Sequence, residues 1–229
     1  WFLNHITVYP CWIMKSKKIS VLRKSYTKHN LLESAVDPDP YSQFTNWFKE
    51  NLKTNTAEPN AMVLSTADST GRPSSRIVLL KEFDQLFGFR FFTNYQSRKA
   101  EELKVNPHAS LLFYWPELER QVRLEGKVKK LSRVISEEYF HSRPRGSQLG
   151  AWTSEQSKEI PNRQFLDEVN LQLNNFFKSN KSIPLPPFWG GYTLVPDYFE
   201  FWQGREDRLH DRIVYRNYRK KWVISRLAP

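Results

Sequence analysis

The chain has 229 residues, enough for one large domain or two small ones and for a sizeable core. Hydrophobic residues make up 39% and aromatics 15%, with only 8 glycines, which excludes a disordered chain. Lys and Arg number 35 against 24 Asp and Glu, and the resulting charge of +11 calls for an anionic partner: nucleic acid, a lipid surface or a phosphorylated small molecule.

Residues 1–22 form an N-terminal arm, apolar up to Met14 and basic at Lys15, Lys17 and Lys18. It reads as a poorly ordered tail or the remnant of a targeting segment. Arg23 to Lys28 is a basic stretch with one aromatic, Tyr26; the plain alternative is a solvated tail. Asp39 and Pro40 then supply a cap and a first helical residue. Tyr41, Phe44, Trp47, Phe48 and Leu52 follow at helical spacing and predict a buried stripe.

A β-rich region comes next. Ala61 to Ala67 and Ser74 to Lys81 predict a hairpin around the Asp68 to Gly71 turn. Phe87 to Asn94, Ala109 to Trp115 and Gln121 to Leu131 predict three further strands. In the last of these, Val122 and Leu124 alternate with Gln121, Arg123 and Glu125, one face apolar and one polar. Short strands with tight turns predict a closed antiparallel barrel or a sandwich.

A helix from Ser97 to Asn106 interrupts these strands, with Ser97 as its cap. Arg98 and Lys99 open it, which is the wrong sign for the macrodipole. Free amides, dipole and two cations together suit a phosphate. The alternative is that both side chains point to water.

A second helix runs from Ser132 to about His141. Beyond it, Tyr139, Arg143 and Ser147 recur every four residues; on a continued helix they would face one oxyanion, but Pro144 and Gly146 leave that open. Asn162 to about Lys178 is an amphipathic helix carrying Phe165, Val169, Leu173 and Phe176. Ile183 to Pro187 reads as a stiff loop inside one domain spanning 23–229. Strands are then expected at Gly190 to Val195, Tyr198 to Gln203, Leu209 to Arg216 and Lys221 to Arg226.

The run from Glu200 to Tyr215 is the most informative. Gly204 to Asp207 reads as a turn, and Arg208, His210 and Arg212 fall two apart, on one face of the expected strand. Such a face suits something anionic or electron-rich opposite it; the plain alternative is a hairpin with a solvated basic edge. Cys11 is the only cysteine, so no disulfide framework or cysteine metal site is expected. No apolar run approaches the ~20 residues of a membrane span. The sequence holds no HExxH, no GxGxxG, no phosphate-binding GxxxxGK and no internal repeat.

The chain resembles the pyridoxamine 5′-phosphate oxidase family. The matching stretches are Ser75 to Lys81, Phe91 to Asn94 with Ser97 to Lys99, Phe113 to Trp115, Arg120 to Gly126, Tyr139-Phe140 with Ser142 to Pro144, Phe188 to Gly191, Glu200 to Gly204, Arg208 to Arg212 and Arg226 to Pro229. They occur in family order from about Arg23 to the last residue. The resemblance implies a mainly β fold with flanking helices, the FMN-binding split barrel, a Greek-key antiparallel β-barrel. It also implies a homodimer with FMN at the subunit interface.

By the family pattern, FMN would be held by Arg76, Ile77, Val78, Leu79, Phe92, Thr93, Arg98, Lys99, Gln121, Gln156, Ser157, Trp202 and Arg212. Lys81, Tyr139, Arg143 and Ser147 would hold the substrate phosphate. Arg208, Leu209 and His210 would lie over the substrate ring, with Arg208 and His210 as the catalytic pair. Arg23 and Tyr26 would belong to an arm that closes over the substrate.

The implied reaction oxidises pyridoxamine 5′-phosphate or pyridoxine 5′-phosphate to pyridoxal 5′-phosphate. Oxygen is reduced to hydrogen peroxide, ammonia leaves from the amine, and no metal takes part. The cytoplasm is the expected compartment, with organellar targeting left open by the N-terminal arm. Nucleic acid and membrane are not expected partners. A single-strand-binding basic barrel is the rival from another class, disfavoured because apolar periodicity puts most aromatics in the core. A catalytically silent binder of FMN or pyridoxal phosphate is the alternative within the resemblance, and a split-barrel relative using another cofactor is a third.

Overall fold

The computed structural model describes residues 21–22 and 24–229. Expectations for residues 1–20 and for Arg23 fall outside the described residues.

Helix α1, Pro40–Asn51, begins as its sequence demands: Asp39 Oδ2 accepts from the Ser42 amide at 2.9 Å, with Pro40 in the first turn. Tyr41, Phe44 and Trp47 are buried. Leu52, expected to extend the stripe, is exposed because the helix has already ended at Asn51.

Strands β1 (Ala61–Ala67) and β2 (Pro73–Leu79) pair across a turn held by Asp68, which accepts from the amides of Thr70 and Arg72. Gly71 there takes φ 83°, a conformation that favours glycine. A short strand, β3 (Glu82–Asp84), lies beyond the strands expected from periodicity and pairs with β4 (Gly88–Asn94). Then come helix α2 (Arg98–Val105), β5 (His108–Trp115) and β6 (Arg120–Lys130). Three helices follow: α3 (Arg133–Ser142), α4 (Arg145–Thr153) and α5 (Arg163–Phe176). The chain closes with β7 (Trp189–Gln203), β8 (Asp211–Tyr218) and β9 (Lys221–Leu227).

All strand pairs are antiparallel, in the order β2-β1-β5-β6-β7-β4-β3, with β8 on β7 and β9 on β8. Strands β4 to β7 take the spatial order β4-β7-β6-β5, a Greek key. The sheet curls into a split barrel with helices on its flanks. Strand β7 can join β4 to β6 and β8 because it is 15 residues long, where two separate strands were expected around Pro196. A bulge keeps it continuous: Tyr198 faces Glu125 and Pro196 faces Gly126, leaving Asp197 as the extra residue.

The barrel interior is aromatic. Phe44 of α1 plugs it, 4.9 Å from Phe83, 5.0 Å from Phe89 and 5.1 Å from Phe113 between ring centroids. Phe199 and Phe201 continue the core along β7 and are fully buried. Each such ring contributes about 1.5–3 kcal/mol by leaving water. A second cluster, with Phe140, Leu149, Phe177, Ile183, Leu185 and Trp189, seats α3 and α4 against the start of β7.

Helix α5 is capped by Asn162 as its sequence suggests, yet none of its residues is fully buried and Phe176 is largely exposed. It rests on α4 along a narrow line, so its apolar stripe outruns the surface available to it. Among the described residues, no helix is long and apolar enough to cross a membrane.

Candidate active site

A cleft of about 720 Å³ opens where β2 faces β4, α3 and α4. Strand β2 gives Arg76, Ile77, Val78 and Leu79, and Lys81 follows it. Strand β4 gives Phe92 and Thr93, and the first turn of α2 gives Lys99. Helix α3 contributes Tyr139; Arg143, Pro144 and Ser147 come from its end and from α4; Gln156 and Trp189 complete the lining.

The cations here are organised by two buried groups. Lys99 is 9% exposed, and its Nζ donates to Gln156 Oε1 at 2.8 Å, Thr93 Oγ1 at 3.1 Å and Ser97 Oγ at 3.2 Å. Burial, with the charge of Arg76, lowers its pKa to about 8, against the pull of Glu102. Glu102 is 5% exposed. Burial opposes its charge, but hydrogen bonds from Ser74, Thr66 and Arg98 outweigh that and bring its pKa down to about 2. Arg76 spans this cluster, donating to Leu64 O at 3.1 Å and Thr66 Oγ1 at 2.6 Å, with Ser74 and Glu102 also in reach.

Ser97 stands at the cap position of α2, but its hydroxyl donates to Asn94 O and does not cap. Arg98 is not in the lining; its Nε pairs with Glu102 Oε1 at 2.8 Å and most of its side chain is exposed. The expected two-cation helix start is therefore divided: Lys99 faces the cleft and Arg98 braces Glu102. Ser157 is exposed outside the lining at φ 73°.

The spacing of Tyr139, Arg143 and Ser147 is resolved by a helix break. Arg143 and Pro144 are extended, separating α3 from α4, yet all three side chains line the same cleft. Tyr139 stacks on Phe92 at 3.9 Å and lies parallel to Trp189 at 6.2 Å. The Arg143 guanidinium sits 4.6 Å over Trp189, and one of its terminal nitrogens is buried without a hydrogen-bond partner. An unpaired buried guanidinium N–H is costly unless a ligand accepts from it.

A second cavity, about 950 Å³, lies at the other end of the same sheet face. Gln121, Trp202, Arg208 and His210 line it, with Tyr26, Tyr114 and Arg205. Leu209 is 70% exposed and is not in the lining. A smaller pocket of about 220 Å³ adjoins it and shares Leu112, Gln121 and Trp202, adding Arg123, Glu200 and Arg212.

Arg208, His210 and Arg212 do not share a strand face. Asp207 and Arg208 take φ 52° and 63°, a left-handed turn that delays β8 until Asp211, so only Arg212 is in a strand. His210 is placed by contacts instead. Its ring lies 4.6 Å from Trp202 and 5.8 Å from Tyr26, and Nδ1 accepts from the Arg205 amide at 3.1 Å. Burial and neighbouring Arg208 lower its pKa, and because Nδ1 accepts, the neutral ring carries its proton on Nε2. Tyr26 fits because Gly204 has no side chain: a Cβ there would stand 2.7 Å from the Tyr26 ring.

The expected residues that line a cavity thus fall into two groups, one at the first cleft and one at the second cavity and its adjoining pocket. Ile77, Val63 and Leu112 join them, as cross-strand partners on one face. Ile77 is 69% exposed. Sequence reasoning missed Trp189, Glu102 and Arg205 as neighbours of these groups. Trp189 carried a signal, an aromatic beside Gly190-Gly191 at a strand start. Glu102 and Arg205 looked like ordinary helix and turn charges.

Topology and cavities define a split-barrel protein with a cleft lined by cationic and aromatic side chains. The fold is shared with PhzG from Burkholderia lata, crystallised with tetrahydrophenazine-1-carboxylic acid, at TM-score 0.81 and 29% identity over 89% of this chain and all of that one. A pyridoxamine 5′-phosphate oxidase-related, FMN binding protein from Nostoc punctiforme has the same fold, at TM-score 0.67 and 17% identity over 85% of this chain and all of that one.

Residues 48–169 match the pyridoxamine 5′-phosphate oxidase family model, and residues 189–229 match the pyridoxine 5′-phosphate oxidase C-terminal dimerisation region. A pyridoxine/pyridoxamine 5′-phosphate oxidase from Cyanothece sp. is 53% identical over 92% of this chain and 98% of its own length. Another from Paraburkholderia phymatum is 54% identical over 91% and 97%. The chain belongs to the pyridoxine/pyridoxamine 5′-phosphate oxidase family and is an oxidoreductase.

Proposed function

We propose that the chain is an FMN-dependent oxidase producing pyridoxal 5′-phosphate from pyridoxamine or pyridoxine 5′-phosphate, with oxygen as acceptor and hydrogen peroxide as product. A cytoplasmic setting fits a chain with one cysteine. The observation that carries the reading is the first cleft. Arg76 and Lys99 converge at one part of its lining, and Lys81, Arg143 and Ser147 converge beside the Tyr139–Phe92 stack. Two cation groups separated by aromatic surface suit two phosphates, one on a cofactor and one on a substrate. The unpartnered Arg143 nitrogen and the desolvated Lys99 amine both gain from an anion.

These residues fit FMN, which when bound would take two electrons from substrate C4′ and pass them to oxygen. The protein's part is orientation. Lys99, Arg76 and Thr93 hold one phosphate; Lys81, Tyr139, Arg143 and Ser147 hold the other and fix the substrate ring at one end. Arg208 lies against the ring and favours electron flow from C4′. His210, neutral and held at Nδ1 by the Arg205 amide, offers its Nε2 proton to a ring substituent. Tyr26 lines the same cavity beside Trp202 and His210.

Two cavities in one chain do not make one site. We assign the second group, Gln121, Trp202, Arg208, His210 and Arg212, to the site of a partner copy across a two-fold interface on the Ile77–Val63–Leu112 face. The dimerisation-region match over residues 189–229, which includes Trp202 to Arg212, supports this.

The test is anaerobic. A yellow protein should bleach on addition of pyridoxamine 5′-phosphate and recover in air. A preparation that fails to take up added FMN would remove the cofactor from the reading. A yellow protein that never bleaches would remove the substrate.

A further inference from the structure

Glu200 sits mid-strand in β7, 5% exposed, two residues before Trp202 on the same face. Arg123 of β6 is its cross-strand neighbour, and Arg212 of β8 is the neighbour of Trp202. Arg212 Nε donates to Glu200 Oε1 at 2.7 Å. On Oε2, Arg123 lies at 3.2 Å and the Tyr198 hydroxyl donates at 2.9 Å. Burial alone would raise the pKa of this carboxyl; Arg212, Tyr198 and Arg123 hold it below its ordinary value.

Nothing in the reaction requires Glu200 to touch a ligand, yet it controls a group that does. The Nε of Arg212 is committed to Glu200, and one terminal nitrogen donates to Ala228 O at 3.0 Å. The other terminal nitrogen has no hydrogen-bond partner among the described residues, and Arg212 lines the pocket with Gln121 and Trp202. A guanidinium fixed at two points presents its remaining N–H groups in one direction, without ordering cost on binding.

We propose that Glu200 is a positioning residue for the flavin, acting through Arg212; the inference rests on the cofactor reading above. A bare counter-charge would act in the opposite sense. Removing it would leave Arg123 and Arg212 more attractive to an anion, and binding would tighten.

The test is a double-mutant cycle on flavin-free protein titrated with FMN and followed by flavin fluorescence. Glu200→Gln is expected to weaken binding about tenfold, the scale of one charge-assisted hydrogen bond. In an Arg212→Ala background, the same change should alter affinity by no more than about twofold. Glu200→Asp, which keeps the charge but draws the carboxylate back, should recover part of the loss, and it replaces the Gln variant if that one does not fold. Equal losses in both backgrounds would make Glu200 merely structural and overturn the proposal. Tighter binding by Glu200→Gln would make it a counter-charge and overturn it too. Failure of the unsubstituted protein to bind FMN would sink the cofactor reading itself.

Discussion

Lys99 shows how burial and function oppose one another in a single side chain. A buried ammonium is costly, and here the cost lowers its pKa to about 8. On the proposed reading, a phosphate in the cleft would bind the protonated amine. Raising the pH through 8 strips that proton from the empty cleft, so flavin affinity should fall, by at most about tenfold per pH unit. Fluorescence titrations from pH 7 to 9.5 should show the fall, and Lys99→Met should bind more weakly but without it. A pH-independent affinity in the unsubstituted protein would mean that Lys99 does not meet the phosphate.

Arg208 lines the second cavity and has no ion-pair partner among the described residues. Arg208→Ala should cut turnover by about 100-fold or more while flavin stays bound, as loss of an orienting cation does. Near-normal turnover would remove it from the site. Gly204→Ala tests the arm instead: a Cβ at Gly204 forces Tyr26 away from Trp202 and His210. The substrate KM should rise several-fold with flavin affinity unchanged, and an unaltered KM would show that Tyr26 does not contact the substrate.

The elements hold these residues in place, and the bulge between β6 and β7 is one tight joint among them. A Cβ on Gly126 would run into the backbone of Val195 and stand 2.7 Å from Pro196 Cα, with no flexible side chain to yield. Gly126→Ala should therefore cost about 2–4 kcal/mol, read as a lower urea midpoint. A change below about 0.5 kcal/mol would show that the junction can shift.

The same joint explains what periodicity reveals and what it hides. Arg120–Lys130 is legible because one face meets the core, so Val122 and Leu124 must alternate with polar neighbours. Pro196 looks like a strand end because Pro has no amide to donate, but the bulge carries the strand past it. Arg208, His210 and Arg212 look like one strand face only if the backbone is extended. Positive φ at Asp207 and Arg208 is a turn property that a two-residue alternation cannot detect. Part of the cleft was legible as residue types along the chain, Lys99 at a helix start and Tyr139, Arg143 and Ser147 by their spacing, while Arg76 to Leu79 came only with the family resemblance. The placing of Gln121, Trp202, Arg208 and His210 at a second cavity was not legible, because alternation within one strand does not tell which strands and loops gather round one cavity.

That division is the property of the whole molecule, and it yields a quantitative test. One variant, Lys99→Ala, damages the first cavity; another, Arg212→Ala, damages the pocket beside the second. If each working site takes its first cleft from one copy and its second group from the partner, each pure variant dimer carries two damaged sites. Mixing the variants and allowing exchange makes dimers with one copy of each. In such a dimer one site holds both lesions and the other holds neither. Random pairing puts half the dimers in this class, so the mixture should recover about a quarter of the unsubstituted activity. If both groups served the same chain's site, every site in the mixture would carry one lesion and no activity would return beyond that of the pure variants. Leu112→Asp, on the face joining the cavities, should meanwhile shift the protein towards monomer in sedimentation and release its flavin together with its dimer. A flavin-retaining monomer would show that flavin binding needs no partner copy.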